Sequence, residues 1–352
     1  MGSESGWNIE SILKRRLIIF TFLILILTTL FLADILFGSV KIGVDDIIRS
    51  FIHRTGTVSE SIIYDFRIPK ALTALLAGIA LSVSGLQMQT VFRNPLAGPY
   101  VLGISAGASL GVAVVMLGFA SYFSAGSIKL LGNWLIVISA WLGAGLLMIL
   151  IMIISSRVRD IMVVLIIGIM LSGGISAIVT IMQYFSHESV LKAYIVWTMG
   201  SLGNLTGQQL LIFSFSVAVG LLLSGLSVKM LNALVAGETY ARSIGLNLKL
   251  SRILIFTAAT VLSGSVTAFC GPIAFIGIAV PHITRLLFKT SDHKILVPGT
   301  ILTGGTVMIA SDIISQLPGS NLVLPVNSVT SVIGIPVVIW VIFRNRRFHE
   351  NK

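Results

Sequence analysis

The sequence predicts an all-α polytopic membrane protein with about ten transmembrane helices, and three observations lead there. Of the 352 residues, 55% are hydrophobic and only 11% are charged, against roughly 25% charged in soluble domains. Apolar runs of about 20 residues recur along the chain, each long enough to cross a hydrocarbon core about 30 Å thick. None of these runs alternates apolar with polar residues, which excludes a membrane β-barrel.

The runs fall at 17–37, 68–91, 100–120, 133–154, 161–184, 208–228, 252–270, 273–289, 295–315 and 325–343. The first follows the basic cluster Lys14-Arg15-Arg16. It is too long for a signal peptide and lacks a small-residue cleavage site, so it reads as a retained span. The second and third are divided by "RNPLAGP" at 93–99. Proline cannot continue a helix from the preceding residue, so Asn94-Pro95 and Gly98-Pro99 force a short turn that re-enters the membrane. The freed backbone groups must then be satisfied inside protein. Beyond the turn, Gly103, Gly107 and Gly111 recur every fourth residue, with Ser105 and Ser109 beside them; small residues at this spacing let helices approach closely. The fifth run has no charged residue, and its Met162, Met170 and Met182 read as adaptable packing rather than haem ligands. Only Gly271-Pro272 separates the seventh run from the eighth. Cys270, the single cysteine, lies in apolar context and excludes an intramolecular disulfide.

No linker divides the chain, so 1–352 reads as one transmembrane domain. The net charge of +11 would point to nucleic acid in a soluble protein. Here it follows the rule that basic residues gather in cytoplasmic loops. With the N-terminus inside, the cytoplasmic segments hold 17 of the 24 basic residues and the outer segments 7. Ten spans return the C-terminus to the same side. Asp34 and Asp312 lie near outer span ends, where water is expected to reach them. The spans carry no chain of acidic residues or histidines, which argues against a proton-driven carrier.

Catalytic signatures are missing. There is no Gly-Lys pair, hence no phosphate-binding loop for ATP. His187-Glu188 begins like a zinc-protease helix, but Leu191 stands where the second histidine belongs. G-x-S-x-G does not occur as a nucleophile elbow, its matches at 103–107 and 107–111 lying within an apolar run, and the five histidines are scattered. Neither an enzyme nor a metal site is expected.

Six blocks, in order, carry a resemblance. They are "RIPKALTALLAGIALSVSGLQMQTVFRNPLAGPYVLGISAGASLG" at 67–111, "WTMGSL" at 197–202 and "LNALVAGETYARSIG" at 231–245. "GPIAFIGIAVPHITRLL" at 271–287, "SDHKILVPG" at 291–299 and "LPVNSVTSVIGIPVVIW" at 324–340 complete the set. Together they resemble the permease subunits of the ABC importers for vitamin B12, iron-siderophores and haem, the type II importers. The resemblance implies ten spans and a permease dimer, with a homodimer expected although some members pair two different permeases. It implies cytoplasmic ABC ATPase subunits that hold ATP and Mg, an extracytoplasmic substrate-binding protein, and no cofactor on this chain. The setting would be the lipid bilayer of a bacterial cytoplasmic (inner) membrane, both termini inside, with no nucleic acid. An iron(III)-siderophore complex is the expected cargo because it is the commonest in the family; haem and vitamin B12 are the alternatives.

Residue roles follow from the same resemblance. The segment 229–250 would dock on the ATPase through Ala236, Gly237, Glu238, Ala241, Arg242 and Gly245, with alanine at 236 where the family motif has leucine. Glu238 and Arg242, at i and i+4, would support a short helix by roughly 0.2–0.5 kcal/mol, and Gly245 would cap it. Binding-protein docking would fall to Arg67, Lys70 and Gln316. Lys70 keeps the charge of a family arginine but not its bidentate fork, and Gln316 loses the charge. Snorkelling to the membrane interface is the other reading of Arg67 and Lys70. Ile161 and Met162 would form the inner constriction of the pathway. Pro281-His282 and Arg285 would fix the inner end of the eighth span. Val323 and Asn327 depart from the family's frequent acidic residue and glycine at the final span.

Overall fold

The computed structural model describes residues 9–38, 42–43, 45, 56–118, 125–158, 160–317 and 323–350. Residues 119–120 of the third expected span lie outside them. So do Lys41, Arg49, Arg54, Arg159 and Lys352 of the charge count. Helix follows helix, with no strand among the described residues.

Two long apolar helices begin the chain, α1 (Ile9–Leu36) and α2 (Val58–Val91), the latter passing through a π-helical turn at Ile62–Arg67. The expected break follows. The Asn94 side chain accepts the Leu96 N–H at 2.9 Å and its carbonyl accepts that of Ala97 at 3.0 Å, a side-chain-closed turn. Pro99 opens a 3₁₀ turn that ends at Gly103, and α3 (Ile104–Gly118) begins there. The chain continues through α4 (Ala125–Arg157), α5 (Ile161–Tyr184) and α6 (Glu188–Thr198). Next come α7 (Gly207–Val235), the short α8 (Glu238–Ser243) and α9 (Leu248–Cys270). The last three are α10 (Ile276–Phe288), α11 (His293–Ser315) and α12 (Val326–Glu350). Side-chain caps open α5 (Asp160), α7 (Thr206), α9 (Asn247) and α11 (Asp292), each supplying an oxygen to a first-turn N–H that has no intrahelical partner.

Seven of these helices are long and apolar enough to span a membrane: α1, α2, α4, α5, α7, α9 and α11. The other three expected spans correspond to shorter apolar helices, Ile104–Gly118, Ile276–Phe288 and Val326–Val341. At 1.5 Å per residue the 13 residues of α10 rise only about 20 Å, so this helix does not start at the membrane surface. The expected span at 273–289 gives its first residues to an irregular link, 271–275, bent by positive φ at Gly271 (+76°) and Phe275 (+66°). Backbone groups inside a membrane need protein partners, and the link has them. Ser201 N–H donates to the Cys270 carbonyl at 2.8 Å, Asn327 Oδ1 accepts the Ala274 N–H at 3.0 Å, and the Tyr100 hydroxyl donates to the Ile273 carbonyl.

The core centres on α2 and α9. Helix α2 packs against α11, α10, α9 and α7; α9 also packs against α7 and α4. Glycine sets the distances. A methyl group on Gly85 would overlap the Gly277 carbonyl, and one on Gly107 that of Gly143. Gly107 and Gly111 therefore form the close face of α3 expected from their spacing. Gly103 does not belong to it: its φ of +81° makes it the turn residue before the helix. Two helices lie at the edge of this core, α1 against α11 and α5 against α3, and many of their apolar side chains are exposed.

Candidate functional site

The three residues expected to dock a binding protein converge at one end of α2 and α11. Arg67, Lys70 and Gln316 line one open cleft of about 370 Å³, together with Phe66 and Val323. Each is also engaged within the chain. Arg67 Nη1 donates to the Ile35 and Leu36 carbonyls at 2.7 and 2.9 Å. These are last-turn carbonyls of α1 that no intrahelical N–H reaches, at the end of the helix dipole that favours a cation. Lys70 Nζ pairs with Asp312 Oδ1 at 3.1 Å. Gln316 Nε2 donates to Asp34 Oδ1 at 2.8 Å and to Asp312 Oδ2 at 3.1 Å.

That network corrects one expectation. Asp34 and Asp312 are not reached by water; they are 3% and 1% exposed. Their pairing joins α1 to α11, and Lys70 adds α2. The amide at 316 brings no charge, but it donates both of its N–H bonds to two buried carboxylates, which a deeply desolvated acid requires.

The expected ATPase-docking segment forms the opposite end. Helix α7 stops at Val235, and Gly237 redirects the chain with φ +119°. The short α8 follows, with Ala241 buried beneath it and Glu238 and Arg242 at its ends. Its exit is a glycine cap: Gly245, at φ +84°, donates to the Arg242 carbonyl at 2.9 Å, and Leu246 N–H to that of Ala241 at 3.0 Å. These two bonds form a Schellman motif, with Gly245 as the C-capping residue expected from the sequence.

The expected Glu238–Arg242 pair is not formed. Glu238 Oε1 instead accepts from Arg252 Nη2 at 2.8 Å, and Arg252 Nη1 reaches the Ser155 and Val158 carbonyls at 3.3 Å each. An exposed neighbour one turn away gains little, whereas Arg252 of α9 is buried and already faces the end of α4. One side chain thereby ties α8 to two spans.

The proline turn closes onto the same region. Arg93, at φ +45°, lays its guanidinium beside Gly237; a Cβ there would stand 3.0 Å from Nη2. His282 Nε2 donates to the Pro95 carbonyl at 2.7 Å, and Arg285 Nη1 to Gln89 Oε1 at 2.5 Å. His282 and Arg285 thus anchor the α2–α3 turn to the C-terminal half of α10, a structural part like the one expected of them. Beside them, Asn232 Nδ2 donates to Asp292 Oδ1 at 2.7 Å, and His293 bridges Asn232 Oδ1 and Thr90 Oγ1 at 2.8 Å each. The Lys294 backbone amide at 2.9 Å, and then Asn232, hold the Asp292 carboxyl below the ordinary carboxylate range.

Between these ends runs α5. Its two expected gate residues diverge: Ile161 packs into the protomer core while Met162 stays exposed. Met162, Ile166, Ile169 and Met170 continue an open, uncharged face.

A model of the FecCD transport family matches residues 24–344. The chain belongs to the FecCD transport family. The vitamin B12 import system permease protein BtuC of Klebsiella pneumoniae subsp. pneumoniae is 37% identical over 285 residues, 81% of this chain and 83% of BtuC. BtuC of Citrobacter koseri is 35% identical over 289 residues, 82% of this chain and 84% of its own length. Among solved structures, an inward-facing conformation of a transporter assigned to the metal-chelate ABC type has a TM-score of 0.79 at 28% identity. The match covers 93% of this chain and 99% of that one. This FecCD chain is accordingly a type II ABC importer permease, a transmembrane subunit of the cytoplasmic membrane.

The sequence motifs picked out Arg67, Lys70 and Gln316, which share one cleft, the short α8 segment, and the proline turn. They did not locate Arg252, Asn232, Asp292, His293, Asp34 or Asp312 as partners. Asp292 carried a readable signal, an acid directly before a helical run. The others pair across helices far apart in sequence, and no local pattern encodes them.

Proposed function

We propose that this permease passes an iron(III)-siderophore complex inward, by alternating access driven by separate ABC ATPase subunits that bind ATP and Mg. On this reading the N- and C-termini are cytoplasmic, a second copy of the chain completes the pathway, and α8 with Gly237 and Gly245 seats the ATPase. An extracytoplasmic binding protein delivers cargo to the cleft of Arg67, Lys70 and Gln316. Met162 contributes to the inner constriction, with Ile161 packed behind it. One observation supports a bulky chelate above all: the open face of α5 carries no charge from end to end, so it offers no fixed counter-ion to a small ion. The metal-chelate assignment of the solved relative agrees. Vitamin B12 is the second reading, favoured by the 37% identity to a permease named for that cargo.

The test is uptake into proteoliposomes that hold the permease with its ATPase and binding protein. Ferric siderophore, haem and cobalamin are each offered with and without ATP. ATP-dependent uptake of the ferric complex is expected. ATP-dependent uptake of cobalamin alone would move the assignment to the second reading, and ion-driven uptake without the ATPase would overturn it.

A further inference from the structure

A second cleft of about 370 Å³ opens along the seam of α3, α5 and α6. Its lining differs from the rest of the apolar α5 surface. Ser109 of α3, Tyr194 of α6, and Ser176, Thr180 and Gln183 of α5 all border it. The α5 residues recur at four- and three-residue steps, so they share one face of the helix. At 1.5 Å per residue that polar stripe climbs from near the middle of α5 to its C-terminal end. No Asp, Glu, Lys, Arg or His lines the cleft.

Lipid cannot satisfy such a lining. Hydroxyl and amide groups in hydrocarbon lose their hydrogen bonds to water and gain none. Thr180 Oγ1 returns to the Ser176 carbonyl at 2.9 Å. Among the described residues, no hydrogen bond engages the Ser176 hydroxyl or the Gln183 amide. Next to them, Gly173 and Gly174 have no neighbour within 4 Å of where a Cβ would stand, so the middle of α5 is left open rather than filled.

We infer that this seam is a water-filled subsite of the transport path that takes neutral hydrogen-bonding groups of the cargo, such as the amide, hydroxyl or hydroxamate edges of an uncharged metal chelate. It deepens the chelate-import reading and rests on it for the nature of the cargo. The neutral lining sets the preference. A multiply charged chelate would find no counter-ion there, while carbonyl and hydroxyl groups find donors and acceptors in Ser176, Thr180 and Gln183.

The chain itself makes the experiment clean. Its only cysteine, Cys270, is buried. Thr180→Cys and Ser176→Cys are made singly, with Leu222→Cys on the apolar α7 surface as the lipid-facing control. Each variant is placed in proteoliposomes of the complete importer and exposed to a membrane-impermeant methanethiosulfonate reagent. Thiolate is the reacting species and an apolar setting suppresses it, so the α5 variants should label at least about tenfold faster than the control. A neutral ferric tris-hydroxamate, delivered by its binding protein, should slow that labelling. A triply anionic ferric tris-catecholate should not. Labelling no faster than Leu222→Cys overturns the inference, as does oxidative cross-linking of two copies through Thr180→Cys without labelling. Equal protection by both chelates overturns the preference for neutral cargo. ATP-dependent uptake is read in the same vesicles: its absence for every chelate would sink the import reading, whereas the control comparison judges the cleft on its own.

Discussion

Replacing Arg252 by methionine should loosen α8, the proposed ATPase seat, whereas replacing Arg242 should leave that helix in place. The two arginines look alike in the sequence, and the i,i+4 rule selects the wrong one. In the structure Arg252→Met removes the 2.8 Å charged bond to Glu238 and two 3.3 Å bonds to the end of α4. Breaking a fully buried pair costs about 3–5 kcal/mol, and an exposed one at most about 1. Here the arginine side chain is 9% exposed and the glutamate 23%, so the cost falls between, at about 2 kcal/mol. That is about thirtyfold in the equilibrium that holds α8 in place. Since α8 is the proposed ATPase seat, the Kd of the ATPase for the detergent-solubilised permease should rise by up to that factor. Arg242→Ala should leave α8 held as in the wild type, because an exposed substitution seldom changes stability by more than about 0.5 kcal/mol; proteolysis at 236–246 in the free permease reads this apart from any ATPase contact. Glu238→Gln combined with Arg252→Met should be milder than the sum of the two single changes, the sign of a direct pair. Wild-type ATPase affinity in Arg252→Met, or α8 loosened more by Arg242→Ala than by Arg252→Met in the free permease, would refute the reasoning.

Three other outcomes follow from the geometry. Lys70→Ala leaves the buried Asp312 carboxylate without its cation; with Lys70 itself 21% exposed, the permease should lose about 2–3 kcal/mol, between the exposed and fully buried limits. Thermal unfolding in detergent would show it, with partial recovery on adding Asp312→Asn. Gly237→Ala meets both a φ of +119° and the Arg93 guanidinium. It should cost about 1–3 kcal/mol of local strain, read as faster proteolysis at 236–246 with the spans intact. The lowered Asp292 carboxyl gives a pH signature. A carboxyl whose folded pKa lies below its unfolded value of about 4 stabilises the fold above that value and loses the contribution as pH falls through the folded pKa. The melting temperature of the wild type should therefore drop more steeply below about pH 4 than that of Asp292→Asn; parallel curves would contradict the assignment.

The sequence made the positions of the helices legible, because each needs only a local run of apolar residues and punctuation at its ends. The turn at Asn94-Pro95 and the cap at Gly245 were equally readable, since backbone restriction is a property of the residue itself. The tertiary pairs were not. Gln316 and Asp34 are 282 residues apart, and Asp312 reads as a harmless span-end acid until α1 is packed beside it. Arg252 lies 14 residues from Glu238, beyond any helical period. The short α10 was misread for a related reason. Its apolar run extends backward into a link whose backbone is satisfied by Tyr100, Ser201 and Asn327, contacts that hydrophobicity cannot reveal.

These tertiary pairs also divide the molecule mechanically. Helices α2 and α11 are pinned at one end by Lys70, Asp312 and Gln316, and at the other by Thr90 and His293. Between the two, Gly78 and Gly304 pack backbone to backbone. Sliding one helix past the other would break an ion pair and a buried hydrogen bond together, so α2, α10 and α11 behave as one body. Helix α5 has no such fastening. It rests on α3, touches α4 lightly, and exposes its glycine pair and polar stripe. Elements with few buried contacts open at the lowest free energy, and packed bodies shift as units rather than deform. On the alternating-access reading proposed above, the change of state is therefore expected in how α5 sits relative to the α2–α11 body. Thr180→Cys labelling measured with and without ATP would register that change on α5 itself.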